Sequence, residues 1–228
     1  MKRLLAFMLF GTALLVVLPA SADPLTLDVG AGTTGLSAGV IDATGSASDV
    51  RLTFGTFTFN RSQQFSNLVI DVVANLGIAE RLRAQTLGLY VDRDLRGTFH
   101  LTGGLIYNQN RGDGTSVPQS SSVVIDGVSY SQRDAGVIYT TVTWPALAPY
   151  LGIGFGPRAR DRRRVAMFGE AGAYYQGPAH VAFSATGAIE ANYTKFQPYF
   201  DEGKRQLTAL LAPVQVYPVV QIGVRFKL

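Results

Sequence analysis

The chain closes on VQVYPVVQIGVRFKL, residues 214–228. From Val216 every even position is apolar: Val216, Pro218, Val220, Ile222, Val224, Phe226 and Leu228. The odd positions run mixed to polar: Gln215, Tyr217, Val219, Gln221, Gly223, Arg225 and Lys227. Strict alternation over such a length marks a strand, not a helix. A strand with one greasy face and one cationic face needs two different surroundings. Hydrocarbon offers no hydrogen bonds, so a sheet placed in it has to close on itself and leave no edge. Outward side chains then meet acyl tails, and inward ones meet water or each other. The last strand pairs with the first, so it can carry the cleanest pattern and end the chain.

The same period of two recurs in Phe99–Tyr107, Leu147–Phe155, Val165–Tyr175 and Val181–Ile189. Each of these has the roughly 9–11 residues that a tilted strand needs to cross a bilayer. Weaker candidates lie at Gly35–Val40, Val50–Phe59 and Arg81–Val91. In the second of these the apolar phase slips after Phe54 to Phe57 and Phe59, which a bulge near Gly55 would explain. With the terminal strand these make eight, the smallest even number common in single-chain bacterial barrels. TGSASD (44–49), RDLRG (93–97), PRARDRRR (157–164) and QGP (176–178) read as turns between them. The connection 108–136 contains VVI-DG-VSY, a hairpin closed by Asp126-Gly127. The connection 190–212 contains Pro198 and YFDEGKRQLTALL, a short amphipathic helix weakened at Gly203 by about 1 kcal/mol.

The N-terminus explains how such a chain reaches a membrane. Lys2 and Arg3 precede an apolar run, Leu4 to Leu18, followed by Pro19 and Ala20-Ser21-Ala22. This is the pattern of a secretory signal peptide, 1–22, with cleavage expected before Asp23. Loss of Lys2 and Arg3 lowers the net charge from +4 to +2. So slight an excess gives no reason to expect nucleic acid, and no basic-aromatic motif adds one. There is no cysteine, which excludes disulfides and thiolate metal sites. No later stretch is long and apolar enough for a spanning helix. An exported chain, 47% hydrophobic yet without such a helix, fits a transmembrane β-barrel. The expected fold is therefore all-β: an eight-stranded antiparallel up-and-down barrel over 23–228, with a short helical insert before the last strand. The soluble alternative is a periplasmic lipocalin-like binder, in which the apolar rows would face inward.

APYLGIGFG (148–156), GEAGAYYQG (169–177) and YPVVQIGVRF (217–226) resemble the small outer-membrane barrels of Gram-negative bacteria, the OmpA-barrel, OmpW and opacity-protein group. The resemblance implies residence in the outer membrane and insertion by the barrel-assembly machinery, which reads the terminal strand. Here the terminal aromatic, Phe226, is followed by Lys227 and Leu228.

Several residues are candidates for function. Glu170, Arg225 and Lys227 point inward by phase, and Arg51 joins them, which suggests a polar network filling a narrow barrel. A narrow pore lined by the same groups is the alternative. Arg158, Arg160, Arg162, Arg163 and Arg164 crowd one turn, either as a solvated turn or as a contact for lipopolysaccharide phosphates. Counting back from a periplasmic C-terminus puts that turn outside and the long 108–136 connection in the periplasm. Long loops of such barrels are normally external, so either the count is off by one near the N-terminus or this barrel departs from the habit. His100 and His180 are the only histidines, and neither has the neighbours of an acyl-transfer triad. A lipid A-modifying enzyme is thus an alternative without a convincing catalytic set. Arg111-Gly112-Asp113 spells an adhesion tripeptide, read as coincidence. No cofactor or metal motif is present. The expected role is structural or adaptive in the envelope, with limited passage of small solutes at most.

Overall fold

The computed structural model describes residues 25–44, 47–65, 76–118, 122–125, 127–157, 161 and 164–228. The signal sequence expected at 1–22 lies outside them. The strands are β1 (Thr26–Gly32), β2 (Gly35–Ala43), β3 (Ser48–Phe65), β4 (Leu76–Arg96), β5 (Phe99–Asn108), β6 (Arg111–Pro118), β7 (Ser122–Ile125), β8 (Val128–Ser131), β9 (Ile138–Thr143), β10 (Leu147–Phe155), β11 (Val165–Tyr175), β12 (His180–Ala185) and β13 (Val216–Lys227). Among the described residues the α-helices are α1 (Gln132–Ala135), α2 (Gly187–Ala191) and α3 (Tyr193–Leu210).

Eight strands close a barrel in the order β1-β2-β3-β4-β5-β10-β11-β13, with β13 returning to β1. The closing pair is antiparallel, from Thr26 opposite Lys227 to Gly32 opposite Gln221. The terminal strand therefore seals the sheet, as its alternation suggests. Its first partner is Thr26–Gly32, however, and not the segment at Gly35. That seven-residue strand, TLDVGAG, turns Leu27, Val29 and Ala31 outward, but its Gly30-Ala31-Gly32 end blurs the period. β3 runs opposite β4 without interruption from Ser48–Arg93 to Phe65–Leu76. No bulge occurs at Gly55. The phase shift arises because β3 leaves the barrel: Phe57 and Phe59 continue the inward face above the rim and are exposed there.

The segment expected as a wall strand at Val181–Ile189 is not one. Its first part, β12, pairs with β9, and its last part is α2. β4 keeps one register past both β5 and β6, with Thr86 opposite Asn108 and Arg83 opposite Arg111. The amide of Gln109 donates to the carbonyl of Gln85 between them (2.8 Å). Thus β5 and β6 act as one long strand, broken only locally. β10 and β9 continue each other in the same way beside them. The wall from β3 to β11 thereby rises above the barrel as a sheet of β3, β4, β6, β9 and β12. Period-two sequence marks a strand in the wall and in this extension alike.

The extension carries an apolar cluster of its own, beside the one that Ile106, Ala148, Tyr150, Tyr174 and Val219 form inside the barrel. Ile138, Ala135, Ile189, Phe196 and Phe200 form one buried cluster, and Phe183 stacks on Phe200 at 5.8 Å. Phe196, Phe200 and Gly203 lie four and three residues apart on one stripe of α3, the spacing that faces a helix to a sheet. The helix begins before Pro198, earlier than the sequence suggests. On its exposed side Arg205 is bidentate on Glu202, at 2.9 and 2.6 Å. The bonds from Arg205, and a further one from Gln206, hold the Glu202 carboxyl down to about 2. The β7–β8 hairpin sets Ile125 opposite Val128, with Gly127 at φ 79°, where a side chain would strain the turn. Asp126 lies outside the described residues.

Both termini of the barrel sheet share one end, where β1 begins and β13 stops. Following the strands in order, the β2–β3, β4–β5 and β10–β11 turns share that end. The β5–β10 and β11–β13 connections lie at the other end. The arginine turn is therefore on the termini side, and the two long connections are together on the opposite side. This corrects the count made from the sequence: β1 was the missing strand, and Val181–Ile189 the surplus one.

Candidate functional site: the barrel interior

The wall is apolar outside and polar inside. Met167 is 71% exposed, and Leu36, Leu151, Ile153, Val220 and Ile222 also stand on the outer surface. Arg51 is 1% exposed, and Asp28, Asp92, Thr102, Glu170 and Arg225 are likewise buried. A soluble barrel would have these faces reversed. Phe99, Phe155 and Phe226 project outward near the termini end, and Tyr107 and Tyr175 near the other. From Phe99 to Tyr107 the strand rises about 26 Å, or about 20 Å along the axis at a tilt of about 40°. Two aromatic girdles at roughly that separation are what a bilayer requires.

Arg51 organises the interior. On β3 it is the direct cross-strand partner of Tyr90, and its guanidinium lies 4.6 Å from the centre of that ring. It donates from Nε and Nη2 to the two carboxylate oxygens of Asp92, at 3.1 and 3.2 Å. Its Nη2 also stands 2.6 Å from Glu170 Oε2. Thr102, opposite Asp92 on β5, donates its hydroxyl to Asp92 (2.8 Å). Tyr150 donates its hydroxyl to Glu170 Oε1 (2.5 Å) and meets Tyr90 edge-on at 5.1 Å. Each carboxylate is thus fixed by an arginine and a hydroxyl, which offsets the cost of burying charge. Glycines make room for the rings: a side chain at Gly88 or Gly104 would overlap Tyr90, and one at Gly152 would overlap Tyr150.

Of the four residues expected inside, Arg51 and Glu170 meet. Arg225 is buried nearer the termini end, where Nη1 donates to the Pro157 carbonyl (2.8 Å) and the guanidinium lies 4.8 Å from the centre of the Phe168 ring. Lys227 reaches the rim and donates to the Asp161 carbonyl (3.0 Å). Asp28, Asp92, Tyr90, Thr102 and Tyr150 were not singled out by the sequence reading. Asp28 lay in the unrecognised first strand, the ambiguous phase of 81–91 hid Tyr90, and Asp92 lay just past the end of that segment. At the far mouth a second layer forms. Asn110 Nδ2 donates to Tyr174 Oη (2.8 Å) and Gln176 Oε1 (3.0 Å), and Tyr174 stacks on Tyr217 at 4.9 Å.

Arg158, Arg160, Arg162 and Arg163 lie outside the described residues, and Arg164 is exposed at the termini end. His100 is buried with its Nε2 lacking a hydrogen-bond partner, and His180 is exposed at the start of β12. Among the described residues no group of three or more His, Asp or Glu could hold a metal. Arg111, Gly112 and Asp113 lie in a strand rather than a loop, with Arg111 Nε donating to Asp113 Oδ1 (2.7 Å).

No protein-family model matches the chain, and no curated protein matches it in sequence. Solved structures match it in fold. CarO2 of Acinetobacter baumannii is similar at 20% identity and a TM-score of 0.55, over 90% of this chain and 99% of that one. CarO of the same organism is similar at 19% identity and a TM-score of 0.52, over 90% and 98%. A major outer membrane protein of Thermus thermophilus aligns at 14% identity and a TM-score of 0.47, over 91% and 100%. At these identities the likeness is one of fold, and that fold is the outer-membrane type of β-barrel.

Proposed function

We propose that this chain is an outer-membrane protein of the envelope, exported by its 1–22 signal and working as a closed barrel rather than as an enzyme or an open pore. The observation that carries this is the Arg51 guanidinium, 1% exposed at mid-barrel and held between Asp92 and Glu170. A continuous water column would leave such a group accessible. Side chains that fill an eight-stranded lumen are the usual consequence of its width. Buried polar networks of this kind also rigidify a wall that has little apolar core of its own. Planar-bilayer recording tests it: purified protein that inserts without discrete conductance steps supports the closed barrel, and steady steps sink it.

A second reading, limited passage of small solutes, draws on different atoms. Both carboxylate oxygens of Asp28, and Nε and Nη2 of Arg225, are buried without a hydrogen-bond partner among the protein groups. Buried charge of that sort calls for water. A thin, wet path past β1 and β13 would supply it. Liposome swelling with small solutes, set against none with disaccharides, distinguishes a leak from a plug.

A further inference from the structure

The outward face of the extension sheet carries an unneutralised cluster of arginines. Arg83 and Arg111 are direct cross-strand partners on β4 and β6, and both are exposed. Arg81 lies one rung further out on the same face, opposite Asp113. Asp113 accepts from Arg111 Nε (2.7 Å) and from the Thr141 hydroxyl (3.3 Å). Among the described residues no carboxylate or hydrogen bond engages Arg81 or Arg83. Like charges placed opposite each other in a sheet destabilise it. Three guanidiniums against one carboxylate therefore call for an anion from outside the chain.

Their height says which anion. The same outward row of β4 is apolar at Leu87, Leu89 and Val91. Leu87 is level with Tyr107 on β5 and Leu147 on β10. Four residues further along lies a rung of Thr58, Arg83, Arg111, Thr143 and His180, all directly opposite one another. The step is about 13 Å along the strand and about 10 Å along the axis. A long arginine side chain reaching back toward the rim ends at headgroup depth. Both residues point toward the lipid side of the wall, by the alternation that also points Leu87 outward.

We propose that Arg83, Arg111 and Arg81 form a site for the phosphate groups of a lipid headgroup in the surrounding leaflet. Arg suits this, because its planar fork binds phosphate oxygens in pairs. The side is the one that holds both long connections, opposite the termini. The inference rests on the membrane reading above and names a lipid partner for its outer rim. The leaflet lipid that the geometry fits best is a glycolipid with more than one phosphate, since the cluster presents more than one fork.

The test uses the full mature chain in phosphatidylcholine nanodiscs doped with a bisphosphorylated glycolipid, or with its dephosphorylated form. Native mass spectrometry after gentle detergent release counts retained lipid. The wild type is expected to retain the bisphosphorylated lipid at least about tenfold better than the dephosphorylated one. The double variant Arg83→Gln/Arg111→Gln is expected to lose that preference, whereas Arg205→Gln, remote on α3, keeps it. Equal retention by the double variant, in discs where the barrel is inserted, overturns the proposal and leaves the membrane reading standing. Displacement by millimolar inorganic phosphate overturns it too, in favour of a soluble-anion site. A chain that fails to enter the discs overturns the membrane reading and this inference together.

Discussion

Arg51 and Glu170 stand on opposite walls, four strands apart whichever way the barrel is followed, and their side chains meet across the lumen at 2.6 Å. The bond works as a crossbar. It ties β3 to β11, which share no backbone hydrogen bonds. Asp92 and Tyr150 brace its two ends from β4 and β10.

Removing one end of the crossbar costs differently from removing the other. Arg51→Ala strands Asp92 and Glu170 as uncompensated buried charges, at a cost of about 3–5 kcal/mol. Glu170→Gln leaves Arg51 paired with Asp92 and costs about 1–3 kcal/mol. Unfolding midpoints in detergent, read from the heat-dependent shift in gel mobility, are expected to fall in the order wild type, Glu170→Gln, Arg51→Ala. An unchanged midpoint for Arg51→Ala contradicts the crossbar.

Emptying the same level should open a path. Arg51→Ser combined with Glu170→Ser removes both halves of the crossbar and leaves the backbone register untouched. Small conductance steps are expected in planar bilayers where the wild type gives none. A double variant that inserts and stays silent would place the occlusion elsewhere, at the Tyr174–Tyr217 layer.

The interior glycines are seats for rings. A side chain at Gly88 would overlap the Tyr90 hydroxyl and ring. Gly88→Val is expected to push Tyr90 off Arg51 and to lower stability by about 1–3 kcal/mol through overpacking. Gly103, whose outward side meets nothing within 4 Å, is the comparison. Equal loss from Gly103→Val would mean that strand propensity rather than the ring seat sets the cost.

The disposition of turns and long connections fixes the labelling pattern. Lys204 is exposed on α3 and Arg164 is exposed at the termini end. Lys204→Cys should react with a membrane-impermeant maleimide on intact cells, and Arg164→Cys only after the outer membrane is opened. The absence of native cysteine keeps the background clean. Reversed labelling would turn the barrel over, and the lipid site on Arg83 with it.

Much of the wall was legible because hydrocarbon and lumen impose period two residue by residue. β5, β10, β11 and β13 follow directly from Leu105, Ile153, Met167 and Ile222 alternating with polar or small neighbours. β1 was hidden because Gly30, Ala31 and Gly32 give it little contrast. Val181–Ile189 misled because a sheet above the membrane also has two faces, here one under α3 and one in water. Phe57 and Phe59 read as a slip because above the rim the inward face of β3 no longer meets the polar lumen, and both rings stand exposed there. The crossbar was half legible. Phase places Glu170 and Arg51 inside, but no local pattern tells that strands four apart in the wall bring them together.

The central claim is that hydrocarbon touches the even row of β13 while the odd row faces a filled, polar interior. Nitroxide labels on single cysteines at Val219, Val220, Gln221 and Ile222, with the protein in bilayers, test it directly. Labels at 220 and 222 are expected to collide freely with oxygen dissolved in the acyl region, and labels at 219 and 221 to be shielded from it. Shielded labels at 220 and 222, or equal collision rates along the whole strand, would contradict it.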